Sequence, residues 1–257
     1  MCLIALAYNQ HPNYPFLLSA NRDEFYKRPA QAANYWEEHP QLLAGRDIEA
    51  GGTWLGITTN GRFAAITNYR EEGSDGKTYP LSRGELSRNF LTGNEPAEAF
   101  LQRIKPNDKS YAGFNLLLMD DTGLFCYSNR DSTVIALQPG LYGLSNHQID
   151  TPWPKVKRAK QRLGETLKNT KISHEQLFYT ISDSNPVEAN ELPEIDFDMD
   201  LEWAKQVSAQ FIKSEDYGTR ASTTILIAND GQVKFRERNF LANGLESEQR
   251  DYCFAIE

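Results

Sequence analysis

Cys2 is the residue whose type and position point most directly to chemistry. It follows Met1 and begins an apolar run that continues to Tyr8. If Met1 is removed, as a small side chain at position 2 normally permits, one residue carries both a thiol nucleophile and an α-amine that acts as its base. The ordinary pKa values, about 8.5 for the thiol and about 7.7–8.0 for the amine, suit acyl transfer near neutral pH. The alternative is that Cys2 is a small apolar residue at the start of a buried strand.

The polar tetrapeptide Asn21–Glu24 directly follows a second apolar run, Phe16–Ala20. A turn-rich stretch separates the two runs, which predicts a β-hairpin. The end of the second strand then lies near the start of the first. Asp23 is thereby placed to orient the α-amine of Cys2, and Arg22 to hold a thiolate or a substrate carboxylate. A turn with a surface ion pair is an equally simple interpretation of the tetrapeptide.

Three further polar residues stand next to predicted strands, namely Asn68, Asn146 and Arg220. An asparagine amide at a strand end can donate to a developing oxyanion, and one such donor contributes about 3–4 kcal/mol. The alternative for Asn68 is a turn residue, and for Asn146 the N-cap of the following helix. Arg220 precedes a clear apolar strand, where it either binds an anion or is an ordinary exposed side chain.

Composition favours a single cytoplasmic domain over residues 1–257. The net charge of −8, from 27 basic and 35 acidic residues, argues against nucleic-acid binding. No apolar run approaches the roughly 20 residues that span a bilayer, and the amino-terminal segment lacks the basic region of a signal peptide. Three widely spaced cysteines and four histidines indicate neither a disulfide framework nor a metal site. The basic cluster within residues 155–162 is expected to form a solvated helix face.

Groups of strands alternate with groups of helices along the chain. The dipeptide Asn60-Gly61 between two apolar runs predicts a hairpin whose two central residues both have positive φ. Capping-box spacing at Ser82 and at Ser173 predicts two helix starts. The helix that starts at Ser82 is predicted to end near Gly93. Further helices are predicted over Glu95–Ile104, Pro154–Lys168, Glu175–Ser182 and Leu201–Lys213. Later strands are predicted over Phe114–Met119, Leu124–Ser128, Thr133–Leu137, Leu141–Ser145, Thr223–Ala228, Gln232–Glu237 and Tyr252–Ile256. Because short turns join most of the strands, the pattern favours antiparallel sheets with helices packed outside them.

Several motifs, in the same order along the whole chain, resemble those of the NRDE family, also called the transport and Golgi organisation protein two family. They are Met1-Cys2, Asn21–Glu24, Gly51–Gly56, Ile66–Asn68, Gly113–Asn115, Gly143–Asn146, Trp153–Lys155 and Ser222–Thr224. The resemblance implies an α+β fold of the N-terminal-nucleophile hydrolase type. That fold is a four-layer αββα sandwich of two antiparallel sheets with outer helices.

More distantly, the pattern is similar to the choloylglycine hydrolase and penicillin V acylase group, whose processed cysteine cleaves amides. This similarity implies a cysteine amidohydrolase that acts on a linear C–N amide of a small amphiphilic or acyl substrate. The implied catalytic residues are Cys2, Asp23, Asn68, Asn146 and Arg220, and the implied substrate-binding residues are Asn21, Arg22, Glu24 and Trp54. The order Asn-Arg-Asp-Glu departs from the Arg-Asn-x-Asp of that group, so either Asn21 or Arg22 takes the position of its arginine.

The alternative function is a non-catalytic carrier with the same fold. Eukaryotic members of the family are linked to Golgi organisation, mitochondrial lipid metabolism and haem mobilisation. A carrier would bind haem or an acyl-CoA-like amphiphile, with Cys2 or a histidine as a soft ligand. Arg22 or the basic cluster of residues 155–162 would bind the carboxylate or phosphate of the ligand. Neither function requires a resident metal or cofactor.

Overall fold

The computed structural model describes residues 2–70, 77–192 and 200–257, so Met1 lies outside the described residues. The chain forms two compact units. The first unit comprises Met1–Arg28, Pro139–Ser145 and Ile149–Phe254, and the second comprises Pro29–Gln138, Asn146–Gln148 and Ala255–Glu257. The single domain over residues 1–257 stays a prediction.

Within the described residues the chain forms thirteen strands and five α-helices. The strands are β1 (Cys2–Tyr8), β2 (Phe16–Phe25), β3 (Ala30–Trp36), β4 (His39–Asp47), β5 (Leu55–Thr58), β6 (Phe63–Asn68), β7 (Phe114–Asp120), β8 (Gly123–Ser128), β9 (Thr133–Ala136), β10 (Gly140–Leu144), β11 (Tyr217–Ile227), β12 (Gln232–Phe240) and β13 (Glu246–Ala255). The helices are α1 (Gly84–Thr92), α2 (Ala97–Ile104), α3 (Pro154–Thr166), α4 (His174–Tyr179) and α5 (Leu201–Gln206).

The first unit is built on a six-stranded sheet with the order β10-β1-β2-β11-β12-β13. Strand β1 pairs antiparallel with β10 and β2, and β2 pairs antiparallel with β11. Helix α3 begins at Pro154, whose fixed φ suits the first helical position. Its apolar residues Val156, Ala159 and Leu163 recur at helical spacing and pack with Leu3 of β1. The face of the sheet that carries Leu3 is therefore the face covered by α3.

The second unit is built on a seven-stranded meander in which β3 to β9 follow one another in sequence order. Phe90 of α1 and Phe100 of α2 are fully or almost fully buried against this sheet, with ring centroids 5.4 Å apart. Gly52 precedes β5 where the chain passes α1. A Cβ atom at Gly52 would lie 2.4 Å from the carbonyl carbon of Gly84, so this close approach requires glycine.

Strand β2 is longer than the sequence predicts. The tetrapeptide Asn21–Glu24 was expected to follow a strand or to form a turn, but it lies inside β2. Its residues pair with β11 on one side, and Asn21 and Arg22 pair with β1 on the other. Both expectations were wrong because β11 begins at Tyr217, earlier than its apolar pattern indicates. The early part of β11 supplies backbone hydrogen bonds that keep the polar residues Asn21–Glu24 in the strand.

The hairpin predicted at Asn60-Gly61 is confirmed by the pairing of β5 with β6. Its turn differs from the predicted two-residue type. The backbone N–H of Thr58 donates to the carbonyl of Arg62 over 2.9 Å, which leaves a three-residue loop. Gly61 has a φ of +82°, whereas Asn60 is outside the positive-φ region. This is the common three-residue hairpin loop, in which glycine takes the left-handed position.

The two predicted capping boxes have different outcomes. At Ser173 the box is confirmed, because its side chain accepts from the backbone N–H of Gln176 and the Gln176 side chain accepts from the backbone N–H of Ser173. At the other predicted start, the N-cap of α1 is Arg83, and within the described residues it has no side-chain capping bond. The prediction for Ser82 was wrong by one residue, because the helix begins at Gly84.

Helix α5 and the β3–β4 hairpin are the largest other differences. Helix α5 ends at Gln206, although the apolar pattern predicts a helix to Lys213. The backbone N–H groups of Gln210 and Phe211 instead donate to the carbonyl of Asp183, so this apolar segment is buried as a loop. The β3–β4 hairpin was not predicted, because much of β3 is exposed and lacks a regular apolar period.

His174 gives a pH-dependent contribution to stability. Its Nδ1 lies 2.7 Å from Thr224 Oγ1, and burial, with a further contribution from Arg236, lowers its pKa to about 4. A histidine with a lowered pKa stabilises the fold above its ordinary pKa of about 6.5, and this contribution is lost as the pH falls towards 4. We expect wild type to lose at most about 3 kcal/mol over this range for this reason. Chemical denaturation of His174→Gln at pH 7 and pH 4.5 should give a smaller difference than wild type, and an equal difference would contradict this assignment.

Candidate active site

Cys2 is the first residue of β1 and lies directly opposite Arg22 of β2, while Leu3 lies opposite Asn21. Opposed residues of an antiparallel pair point to the same face of the sheet, and neighbours along a strand point to opposite faces. Cys2 therefore shares one face with Arg22 and Glu24. Asn21 and Asp23 occupy the other face, the one covered by α3.

The Cys2 thiol is buried, with 7% of the residue exposed. Burial raises the pKa of the thiol, and the negative charges of Asp23 and Glu24 add to the rise. The amino terminus and Arg22 act in the opposite direction. Arg22 Nη2 lies 3.8 Å from Glu24 Oε2, so the two charges on this face are paired. The thiol is thus held mainly protonated at neutral pH, and a nucleophilic role requires a base beside it.

Asp23 is a buried carboxylate held in a fixed position. Its Oδ1 accepts from Thr219 Oγ1 over 2.7 Å, and Thr219 Oγ1 in turn accepts from the backbone N–H of Ile212 over 2.9 Å. Tyr217 donates to the backbone carbonyl of Asp23 over 3.2 Å. Burial raises the pKa of Asp23, whereas the amino terminus, Lys155 and the Thr219 hydrogen bond lower it. The carboxylate is therefore oriented by a hydroxyl that is itself fixed by the backbone.

Asn21 is fully buried and its amide is bonded to protein groups. Its Nδ2 donates to the carbonyls of Ile181 and Gln210 over 2.9 and 2.8 Å. Ser222 Oγ donates to its Oδ1 over 2.6 Å. These contacts are those of a residue that positions β2 against two loops, and the substrate-binding role expected from the sequence stays a prediction.

Arg220 is the extra residue of a β-bulge in β11, between Thr219 and Ala221. Bulges redirect side chains and are frequent next to active sites. Arg220 Nη1 donates to three carbonyls, one at the last residue of β2 and two in the segment that follows, and burial lowers the pKa of the guanidinium. The carbonyls are those of Phe25, Tyr26 and Arg28, at 3.0, 3.1 and 3.0 Å. In this structure Arg220 fastens that segment, and its catalytic role stays a prediction.

Asn68 and Asn146 belong to the second unit, where they are in contact. Asn146 Nδ2 donates to the carbonyl of Asn68 over 2.9 Å, and the backbone N–H of Arg70 donates to the carbonyl of Asn146 over 2.7 Å. The N-cap alternative for Asn146 was wrong, because the N-cap of α3 is Trp153. The oxyanion roles of both asparagines stay predictions.

Trp54 also belongs to the second unit. It is partly buried and packs against the hydrophobic core formed by α1, α2 and the seven-stranded sheet. Its carbonyl accepts from the backbone N–H of Ile66 over 2.7 Å. The structure thus separates the predicted site residues into two groups. Cys2, Asn21, Arg22, Asp23, Glu24 and Arg220 come together in the first unit, and Asn68, Asn146 and Trp54 lie in the second.

Four buried polar residues of the first unit were missed in the sequence. They are Lys155, Gln210, Thr219 and Ser222. Lys155 and Ser222 could have been found from the sequence, because both belong to motifs that resemble those of the family. Thr219 and Gln210 carry no local signal, since each acts through a partner distant in sequence. The expectation that the basic residues within 155–162 form a solvated helix face was wrong for Lys155, because Lys155 is buried.

Over residues 2–70, 77–192 and 200–257, no group of three or more His, Cys, Asp and Glu side chains is arranged to hold a metal ion. None of the helices in the same ranges is long and apolar enough to cross a membrane.

Comparison with known proteins identifies the family. The model of the family described as Transport and Golgi organisation 2 matches residues 1–242. The human Transport and Golgi organization protein 2 homolog is 34% identical over 277 residues and is covered completely, as is this chain. The Drosophila melanogaster Transport and Golgi organization protein 2 is 24% identical over 260 residues, which is 92% of this chain and 91% of the relative.

Among solved structures, two variants of conjugated bile acid hydrolase from Clostridium perfringens have a similar fold. They align over 100% of this chain with TM-scores of 0.54 and 0.53, at 11% and 12% identity, and cover 92% and 98% of the other chains. This likeness confirms the fold class expected from the sequence. The chain belongs to the Transport and Golgi organisation 2 family and has an α+β, N-terminal-nucleophile hydrolase-like fold with two antiparallel sheets.

Proposed function

We propose that this protein is a cysteine amidohydrolase whose nucleophile is Cys2 after removal of Met1. One observation carries the proposal. Cys2 starts β1 in register with Arg22, and the next residue of β2 is Asp23, a buried carboxylate fixed by Thr219. A nucleophile, an oriented carboxylate and a positive charge are the groups that acyl transfer by an amino-terminal cysteine requires.

The reaction begins with transfer of the thiol proton to the α-amine of Cys2. The thiolate attacks the amide carbonyl carbon, the C–N bond breaks, and the leaving amine takes the proton from the α-ammonium. The same α-amine then takes a proton from water, and the resulting hydroxide attacks the thioester carbonyl carbon. The C–S bond breaks, the carboxylic acid is released, and the α-ammonium returns the proton to the thiolate. Asp23 orients the α-ammonium and stabilises its charge, as the carboxylate of a catalytic triad does for its base.

The electrostatics of the Cys2 region support this division of roles. Burial raises the pKa of the thiol, so little thiolate exists without a base. A free α-amine on the same residue supplies that base within reach of the sulfur. Arg22, on the face of the sheet that carries Cys2, stabilises the thiolate or an acidic group of the substrate. The proposed substrate class is a linear amide of a small amphiphilic or acyl compound, and hydrolases of similar fold support the reaction type.

Removal of Met1 is expected to switch on amide hydrolysis. Protein with Met1 retained and protein treated with a methionine aminopeptidase should be compared on a panel of N-acyl amides of different chain lengths, with amine release as the measurement. We expect hydrolysis by the Met-free form, because only this form carries the α-amine on Cys2.

Folded Met-free protein that releases no amine from any member of the panel would contradict the proposal. If the same protein bound haem or an acyl-CoA in an equilibrium titration, the result would instead support the non-catalytic carrier. Amide hydrolysis by the Met-retaining form at the same rate would contradict the role of the α-amine.

A further inference from the structure

Lys155 is an unusual lysine for this chain. Only 4% of it is exposed, and it is the only buried lysine among the described residues. Its Nζ donates to the carbonyl of Val207 over 3.1 Å. A buried ammonium loses several kcal/mol of hydration, and a negative charge compensates for this loss more fully than a neutral carbonyl does. The position of Lys155 therefore calls for a nearby negative charge.

Lys155 is held on the face of the sheet that carries Asp23. Its backbone carbonyl accepts from Gln210 Nε2 over 3.1 Å, and the carbonyl of Gln210 accepts from Asn21 Nδ2 over 2.8 Å. Asn21 and Asp23 are two residues apart in β2 and project to the same side. Val156, next to Lys155 in α3, packs with Leu3 on this side. Lys155 and Asp23 thus lie on the same side of the sheet, and the positive charge of Lys155 lowers the pKa of Asp23.

The helix itself does not favour a cation at this point. Lys155 is the second residue of α3, and the positive end of the helix dipole disfavours basic residues in the first turn. The acidic residues that bond other positions of α3 pair with other cations. Asp183 Oδ2 accepts from Arg158 and Arg162 over 2.7 and 3.2 Å, and Asp150 Oδ1 accepts from Lys160 over 2.7 Å. A charge interaction with Asp23 accounts for a cation buried at an otherwise unfavourable position.

We propose that Lys155 is a positioning residue for the Cys2 reaction, because its ammonium keeps the Asp23 carboxylate ionised and able to hold the α-ammonium of Cys2. The inference rests on the proposed function for its role in catalysis. The pairing of Lys155 with Asp23 is tested separately from amide hydrolysis.

The other groups that act electrostatically on Asp23 set the direction of the effect. Burial raises the pKa of Asp23 more than any other influence, and the amino terminus, Arg22 and the Thr219 hydroxyl lower it together with Lys155. The Cys2 thiol on β1 interacts electrostatically with the same carboxylate. Without the positive charge of Lys155, fewer groups offset the rise in the pKa of Asp23 that burial causes. Asp23 would therefore ionise at a higher pH.

The test compares Lys155→Gln with wild type. Glutamine keeps a donor for the Val207 carbonyl and removes the charge, and Lys155→Met is a second neutral variant if the first does not fold. Protein labelled with ¹³C at the aspartate carboxyl carbons is titrated by NMR, and Asp23→Asn assigns the Asp23 signal. We expect the neutral variants to raise the pH of Asp23 titration by about one unit or more. Lys155→Arg should restore the wild-type value, and the exposed Lys157→Gln should leave it unchanged.

The catalytic part is read from the pH dependence of kcat/KM for the Met-free protein. The acidic limb should move to higher pH in Lys155→Gln by the same amount as the Asp23 titration, with a similar rate at the plateau. An unchanged Asp23 titration would overturn the inference. A rate that falls equally at every pH would reduce Lys155 to a structural role. A shifted titration in a protein that hydrolyses no amide would support the ion pair and count against the proposed function alone.

Discussion

Replacing Cys2 with alanine is expected to abolish amide hydrolysis by the protein, with kcat reduced by about 10⁴-fold or more, as for other enzymes that lose their nucleophile. The reason is that the proposed reaction passes through a thioester on this sulfur, and the α-amine alone cannot form it. The measurement is amine release from the best substrate of the N-acyl amide panel, with both proteins freed of Met1.

The matched control is Cys253→Ala, because Cys253 is exposed and belongs to β13. This variant should keep the wild-type rate. Both variants should unfold close to the wild-type midpoint, since each loses a single sulfur atom. Full activity in Cys2→Ala would place the hydrolytic chemistry elsewhere in the molecule and would refute the proposed mechanism.

Replacing Asn21 with alanine is expected to lower the free energy of unfolding by about 3–5 kcal/mol. The substitution leaves the carbonyls of Ile181 and Gln210 and the hydroxyl of Ser222 without their buried partner. Each buried polar group that loses its partner costs about 1–3 kcal/mol, and the cavity adds to the loss.

Asn13→Ala is the control for the asparagine substitution, because Asn13 is exposed and its Nδ2 makes a single hydrogen bond to the carbonyl of Thr170. Its effect should stay below about 1 kcal/mol. Urea denaturation monitored by tryptophan fluorescence gives both values. A loss below 1 kcal/mol for Asn21→Ala would mean that the buried amide network does not hold β2 in place.

Local sequence patterns predict much of this fold for a simple physical reason. Strand β1 is a continuous apolar run, β7 has apolar residues at Leu116–Met119, and α3 carries its apolar residues at helical spacing. Burial of those side chains is the main driving force for each element, so the pattern and the structure agree. The pairing of β1 with β2, and hence the position of Cys2 beside the tetrapeptide, follows from one short hairpin.

The polar part of the site depends on contacts that no local pattern contains. Asn21 lies in a strand because Ser222 and the loop carbonyls of Ile181 and Gln210 satisfy its amide. Asp23 is held by Thr219, a residue almost two hundred positions later in the chain. Such partners override the low strand propensity of asparagine and aspartate. The residues close in sequence therefore could not predict that β2 extends through the tetrapeptide or that Lys155 is buried.

The bulge at Arg220 is another feature set by tertiary structure. The extra residue in β11 directs the guanidinium to three carbonyls at the end of β2 and just after it, whereas the strand predicted from the sequence begins only at Thr223. The family resemblance supplied Arg220 as a site residue, but its contacts emerged only from the structure. A residue that fastens the segment after β2 also stabilises the strand that carries Arg22 and Asp23.

The central claim is that Cys2 is an activated nucleophile, and competition between thiols tests it most directly. Met-free protein is treated with a limiting amount of a chloromethyl ketone that carries an acyl chain, and the peptides are mapped by mass spectrometry. We predict that a thioether forms first on Cys2, although it is buried, and more slowly on the exposed Cys253. Labelling of Cys253 with no modification of Cys2 would contradict the account.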